Sequence, residues 1–272
     1  MKISIVSGTS PLKRHLELEG YEVEETESNP IVFAGLALGS MGYTEGREAP
    51  YVVQRYFKKK WHKQTLVGIP LDFLMNGDLG PQALVGFASR YVVSPKIVEL
   101  LENEALTVAL AESGYEGFVH IGFDLDGNVL HIKACPHELG LYAALEGCPK
   151  GIGEFIAKPM ETRLLESWAV ALLVSRYPFP HADKAVRVTL EGLSPKIEEH
   201  FWSWNLARWK RSWSTEGTKI GIATGWGQKL YEACDRSLRT CRAIRCIGMQ
   251  YRTDTHEIIS HKWEELKLRG WV

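Results

Sequence analysis

Residues 2–6 (Lys-Ile-Ser-Ile-Val) alternate polar and apolar positions, which predicts a short strand. Ser7-Gly-Thr-Ser-Pro11 then turns into a helix from Leu12 to Glu19, and Tyr21–Val23 starts a second strand. Such a strand–turn–helix can cradle an anion. The plainer reading, an ordinary βα turn with Ser10 as cap and Pro11 at the first helical position, is preferred. A β-rich stretch (Ile31–Leu36), a turn-rich loop (Gly39–Pro50) and a strong strand (Tyr51–Phe57) follow. Asn76-Gly-Asp-Leu-Gly-Pro81 reads as a long irregular loop. Ser94–Ser113 reads as one amphipathic helix, with Pro95 at its start and Gly114 beyond its end. Phe118–Phe123 and Val129–Ile132 flank Asp124-Leu-Asp-Gly-Asn128 as a hairpin. Glu161–Ser175 reads as a helix, and Val186–Leu190 and Ile220–Ala223 as strands. Gln228–Arg245 reads as a helix with Leu230, Cys234, Leu238, Cys241 and Ile244 on one face. No repeat interrupts this order, and strands mixed with helices in it give an α+β class.

Composition narrows the setting. With 272 residues, 45% of them apolar, the chain can bury a large core as one big or two modest domains. Five cysteines without framework spacing fit a reducing interior, with Cys234 and Cys241 as small core residues. The first residues read as a strand rather than a signal peptide, and no apolar run approaches membrane length. The expectation is a soluble, cytoplasmic protein with no membrane partner. Net charge is only −1, but residues 21–28 are acidic and 58–63 read Lys-Lys-Lys-Trp-His-Lys, so a local polyanion site is open.

Basic and aromatic residues keep company in two places. Arg55, Lys58, Lys59, Lys60 and Lys63 lie beside Tyr56, Phe57 and Trp61, and Arg208, Lys210 and Arg211 beside Trp209 and Trp213. Cations neutralise phosphates and ring faces stack on bases; a solvated loop and a tryptophan-rich core are the plainer alternatives. Trp202 and Trp204 suit one packed strand face, whereas Trp209 and Trp213 stand among charges. Arg236, Arg239, Arg242 and Arg245 make a basic helix stripe. His131, Cys135 and His137, with His120, raise the possibility of a soft-metal site but match no standard zinc spacing, so no metal and no cofactor is expected.

Several stretches resemble phosphoribosylamine–glycine ligase, an ATP-grasp family. Asn76-Gly-Asp-Leu-Gly-Pro-Gln-Ala-Leu-Val-Gly-Phe-Ala88 resembles its substrate loop, D-G-D-x-G-P-N-T-G-G-M-G-A. Gly127-Asn-Val-Leu-His-Ile-Lys-Ala-Cys135 resembles D-G-P-x-V-L-E-F-N-A-R. Ile220-Gly-Ile-Ala-Thr-Gly225 and Gly248-Met-Gln-Tyr-Arg-Thr-Asp254 resemble the last strand and the G-M-x-Y-R-x-D terminus, and Pro30–Ser40 is a weaker echo of P-V-V-V-K-A-D-G-L-A-A-G-K. The resemblance implies an ATP-grasp-like fold with a small C-terminal α/β subdomain: a βα element over 1–29, a core over 30–160 and the subdomain over 161–272. It also implies a nucleotide site whose chemistry has been replaced. Phe33 and Ser40 fall where the family has phosphate-binding lysines, Gln54-Arg55 where it has an acidic pair, and Lys60 near its ribose-binding acid. His131 and Lys133 stand in place of magnesium-binding Glu and Asn, and Cys135 in place of Arg. Magnesium prefers hard oxygen ligands, so an ammonium there works against it.

A frame that once held glycine, with cations in its nucleotide site, suggests an amino acid joined to a pre-activated acceptor. The chain resembles phage amino acid:DNA transferases in this respect: a pyrophosphorylated hydroxymethyl pyrimidine in DNA would be displaced by an amine, glycine first, without ATP. The partners expected are therefore DNA and an amino acid. His131 or Asp78 would act as base, and Lys133, Arg55 and Lys60 would stabilise the leaving pyrophosphate. Gly80 and Pro81 belong to the substrate loop, Ser89 and Arg90 would hold the amino acid carboxylate, and Tyr56 or Trp61 would stack on the flipped base. Lys58, Lys59, Lys63, Arg208, Trp209, Lys210, Arg211 and Trp213 would contact DNA. An ATP-using glycine ligase and a non-catalytic nucleic-acid-binding protein remain as alternatives.

Overall fold

The computed structural model describes residues 2–6, 17–20, 22–26, 49–71, 74–76, 80–82, 86–133, 138–149, 151–158, 160–179, 186–209 and 212–272. Its elements are β1 (Lys2–Val6), β2 (Glu22–Thr26), β3 (Tyr51–Phe57), β4 (Lys60–Leu71), β5 (Leu74–Asn76), β6 (Gly80–Gln82), β7 (Gly86–Tyr91), α1 (Pro95–Leu101), α2 (Glu104–Ser113), β8 (Gly117–Phe123) and β9 (Val129–Lys133). They continue with α3 (Glu138–Glu146), α4 (Ile152–Ala157), β10 (Trp168–Arg176), β11 (Arg187–Leu190), α5 (Pro195–Glu198), β12 (Phe201–Ser203), β13 (Ala207–Trp209), β14 (Ser212–Glu216), β15 (Lys219–Gly227), α6 (Leu230–Ala243), β16 (Met249–Gln250) and α7 (Thr255–Leu268).

A nine-stranded antiparallel sheet, in the order β12-β15-β10-β7-β4-β3-β8-β9 with β16 beside β10, organises the molecule. It takes strands from both sides of residue 160. Helices cover both faces. Tyr51, Phe87, Ala171, Leu173, Trp202 and Ile222 meet α3 and Phe155 of α4 on one face. Val67, Ile69, Val170, Leu172 and Ala223 meet Ile97, Cys234, Cys241, Ile259 and Trp263 of α1, α6 and α7 on the other. The class is α+β. Cys234 and Cys241 are core residues, and burial raises the Cys234 thiol to about 12. A parallel pair β1–β2, a β11–β14–β13 sheet and the β5–β6 hairpin complete the description.

Two-sided burial explains the largest departure from the sequence pattern. Residues 161–175 read as a helix, but 168–176 form β10, whose Trp-Ala-Val-Ala-Leu-Leu-Val feeds both cores alternately. A continuous apolar run has no period to separate a central strand from a buried helix. The helix expected over 94–113 is two. Ser94 caps α1, accepting from the Ile97 N–H, and Asn103 starts α2 by accepting from the Leu106 N–H at 3.1 Å. The loop at 76–81 is a hairpin in part, with Leu74, Met75 and Asn76 opposite Gln82, Pro81 and Gly80. The hairpin over 117–133 and the helix after β15 agree with the pattern, whereas the readings over 7–16 and 30–48 lie outside the described residues.

The β15 sequence brings α6 onto the sheet at backbone range. A Cβ on Gly225 would stand 2.5 Å from the Ser237 nitrogen and 2.6 Å from the Ala233 oxygen. Gly225→Ala must push the helix outward, and overpacking of this kind costs about 2–3 kcal/mol. Gly114→Ala, at φ 64° with open space around it, should cost only about 1 kcal/mol. Urea denaturation of the two variants checks the ranking; equal midpoints would contradict the close approach.

Candidate functional site

The β3–β4 hairpin turns through Lys58 and Lys59, both left-handed with φ of 48° and 58°. Two-residue turns of this hand favour Asn and Gly. Here the Lys58 N–H is tied to Glu116 Oε1 at 3.0 Å. Lys58, Lys59, Lys60 and Lys63 are all exposed, so the tip is a compact cationic knob. Its aromatics divide. Tyr56 is 1% exposed, and its ring meets Trp61 edge-on at 4.9 Å. A phenol sunk in the core offers no face to a nucleobase, so stacking is withdrawn from Tyr56 and left to the half-buried Trp61.

Arg55 is also interior, at 2% exposure. The pairing of β3 with β4 shifts between Gln54↔Thr65 and Tyr56↔Trp61, so His62, Lys63 and Gln64 stand against Arg55 alone. This bulge folds two β4 side chains onto the guanidinium, whose Nη2 lies 2.8 Å from His62 Nδ1 and 3.4 Å from Gln64 Oε1. Nη1 donates to the Thr162 carbonyl at 3.0 Å, and the Phe155 ring lies beneath at 5.2 Å. Gln64 exchanges hydrogen bonds with the Leu164 backbone at 2.9 and 3.0 Å. Arg55 therefore fastens the 160–165 segment to the sheet; a phosphate cannot reach it while that segment is seated. Burial lowers Arg55 to about 10, which leaves it charged at neutrality. Burial and then Arg55 lower His62 to about 4, so its ring is neutral and accepts.

The edge strand β9 sets His131 opposite Gly122 and Lys133 opposite His120 of β8. His120 in turn faces Val53 of β3, two residues from Arg55. The fold thus brings these sequence-chosen positions onto three neighbouring strands. His120 itself is 3% exposed and stacked on Tyr51 at 4.1 Å. Asp78, Lys210 and Arg211 lie outside the described residues, as do Cys135 and His137; Gly80 and Pro81 belong to β6. Among the described residues no cluster of three His, Cys, Asp or Glu side chains could hold a metal ion, and no helix is long and apolar enough to cross a membrane.

Ser89 and Arg90 are successive residues of β7, hence on opposite faces. Ser89 is fully buried, while Arg90 is exposed on the Trp168 side at 5.9 Å from that ring. They cannot share one carboxylate. Arg208 is exposed and lies 5.8 Å over the half-buried Trp213, while Trp209 ends β13. Trp202 and the partly buried Trp204 pack in one core, as the plainer reading holds. Of the arginine stripe, Arg236, Arg239 and Arg242 lie on α6 and Arg245 beyond its end in a bridge with Glu191, all four exposed. The G-M-x-Y-R-x-D match is a latch: Arg252 donates to both Asp254 oxygens at 2.7 and 2.8 Å just before α7. These bonds hold the Asp254 carboxyl below its usual range.

Sequence reasoning missed a second constellation. His200 Nδ1 lies 2.7 Å from Glu146 Oε1, and Glu146 Oε2 accepts from the Thr224 hydroxyl at 2.5 Å. The Thr224 oxygen accepts in turn from the Trp202 Nε1–H at 3.2 Å. Glu146 ends α3 and His200 precedes β12, so no spacing in the chain announces the pair.

No protein-family model and no curated protein matches the chain. Among solved structures it is similar to phosphoribosylamine–glycine ligase from Thermotoga maritima, with a TM-score of 0.60 and 17% identity over 76% of this chain and 56% of that one. The fold is ATP-grasp-like. The chain is also similar to phosphoribosylglycinamide synthetase from Anaerococcus prevotii (TM-score 0.45, 12% identity, 74% of this chain and 54% of that one) and to biotin carboxylase from Campylobacter jejuni (0.46, 10%, 77% and 49%). It spans about half the length of these structures.

His62 gives the site a pH signature. Its folded value of about 4 lies below the ordinary 6.5, so between them the unfolded chain holds more protons. The stability this group confers is complete above pH 6.5 and is lost as pH falls towards 4. His62→Gln should lose less stability than the parent between pH 7 and 4.5. Urea titrations at both values check this; a constant difference would refute a neutral, buried His62.

Proposed function

We propose that the protein is a transferase joining an amino acid, glycine first among candidates, through its amine to a pyrophosphorylated hydroxymethyl pyrimidine in DNA, without ATP. The observation that carries this reading is the β3–β4 tip: four exposed lysines on one hairpin of a chain whose net charge is −1. Clustered lysines neutralise phosphates with little regard to sequence. The ligase-like frame supplies the precedent for handling an amine. The residue types on β9 do not suit a magnesium–nucleotide complex, since His131 and Lys133 offer nitrogen where that ion takes oxygen.

In the reaction the amine lone pair forms a C–N bond to the pyrimidine methylene carbon. The C–O bond to pyrophosphate breaks, and its electron pair leaves with the pyrophosphate. The proton lost by the amine passes to a base, with His131 and Asp78 as candidates. Lys133 and Lys60 supply positive charge to the departing group. Arg55 drops out of this role because it is interior, and Trp61 rather than Tyr56 serves the extruded base. Gly80 and Pro81 border the amino acid, and Lys58, Lys59 and Lys63 hold the strand.

The test is mass spectrometry of nucleosides after incubation with pyrophosphorylated DNA and mixed amino acids, with and without Mg-ATP. An amino acid adduct formed without ATP is the expected result. Lys133→Ala should then slow turnover about 100-fold at unchanged DNA affinity. Replacing Lys58, Lys59, Lys60 and Lys63 by serine should weaken DNA binding and flatten its salt dependence. Adduct formed only with Mg-ATP would favour a ligase instead, and no adduct with DNA binding retained would favour a binding protein.

A further inference from the structure

The β8–β9 ladder carries a surplus residue. Gly122 pairs with His131 but Phe123 pairs with Val129, so one step along β8 answers two along β9, and Leu130 stands between. This is a β-bulge, the second at the candidate site after the one beside Arg55. Residues directly opposite in an antiparallel pair share a face, and successive residues alternate. Val129 therefore shares the face of Phe123, which packs with Val119 and Ile121 in the core beneath α1 and α7. Regular alternation from Val129 would set positions 131 and 133 on that same face. The bulge resets the alternation. Position 131 falls opposite Gly122, itself opposite Tyr51, and position 133 opposite His120, itself opposite Val53. Tyr51 and Val53 belong to the other core, on the face where Phe155 lies beneath Arg55.

The turn is held too firmly to absorb the surplus. The Asp124 N–H donates to the Asn128 carbonyl at 3.0 Å, and the Gly127 N–H to the Asp124 carbonyl at 3.1 Å. Trp271 Nε1 donates to the Leu125 carbonyl at 3.0 Å, and its ring packs on Phe123 at 4.3 Å. A Cβ on Gly127, whose φ is 98°, would touch that indole at 3.4 Å. Arg269 pairs with Asp126 at 3.4 Å. The 269–271 segment thus clamps the turn, and the extra residue stays in the strand at the exposed Leu130. We infer that Leu130 is a positioning residue of the candidate site: its bulge turns positions 131 and 133 onto the face of Arg55 and His120. A shift of one residue sends every later side chain to the opposite face, so the bulge decides on which side of the sheet those two positions act. The roles of His131 and Lys133 rest on the transfer proposed above; the bulge stands or falls by stability.

Two single-residue deletions in the full chain distinguish the bulge from a regular hairpin. Deleting Leu130 removes the surplus and leaves His131 opposite Gly122, so the urea midpoint should stay at or above that of the parent. Deleting Ile132 takes a residue paired with Ile121 out of the regular ladder and should lower the midpoint. Nucleoside mass spectrometry with pyrophosphorylated DNA reads the site. The Leu130 deletion should keep turnover within about threefold, because both positions retain their face. Ile132→Lys with Lys133→Ile, which moves the ammonium across the sheet without a deletion, should slow turnover about 100-fold at unchanged DNA affinity. The assignment is overturned by a Leu130 deletion as destabilising as the Ile132 deletion, by a folded Leu130-deleted protein that loses turnover, or by an exchange of positions 132 and 133 without effect. A parent protein that forms no adduct overturns the transfer reading, and the two urea midpoints then decide the bulge alone.

Discussion

Burial of one antiparallel sheet on both faces is the constraint from which the rest follows. A strand in its middle has no wet side, so charge must leave for the turns and edges or be satisfied in place. The lysines of the β3–β4 tip show the first outcome. Arg55 shows the second, since it stays inside only because a bulge in β4 brings His62 and Gln64 to it and the 160–165 segment brings a carbonyl. Glu146 is inside for a comparable reason, held between His200 and Thr224.

What could be read in the chain tracks where a local signal exists. The β8–β9 hairpin was legible because Asp124 and Gly127 dictate a turn, and Asp124 does accept from the Asp126 and Asn128 N–H groups. The helix α6 was legible from its apolar face. β10 was not, because burial on both sides erases periodicity, and the break at Asn103 was hidden by apolar spacing that continues across it. At the site, the exposed lysines could be anticipated from composition alone. The interior fate of Arg55 and Tyr56 could not, because it depends on the 160–165 segment and on cross-strand pairing. Glu146 and His200 are 54 residues apart and meet only through the packing of α3 against β15 and β12.

On this ATP-grasp-like frame a basic knob stands at the end of two strands, and Glu146 meets His200 where the C-terminal strands join the sheet. The likeness to ligases concerns the frame. The chemistry at β3, β4 and β9 is this chain's own, and Arg55 shows how a changed residue can be absorbed into the interior rather than left facing a ligand.

The turn at Lys58 and Lys59 has a consequence for anyone improving the protein's robustness. Two consecutive lysines in left-handed backbone are a compromise, each about 1 kcal/mol less comfortable than glycine. Exchange for Asn-Gly would tighten the hairpin and discard half of its exposed cations at once. Selection for heat resistance alone would drift towards that exchange, so the melting temperature is a poor guide to fitness at this tip.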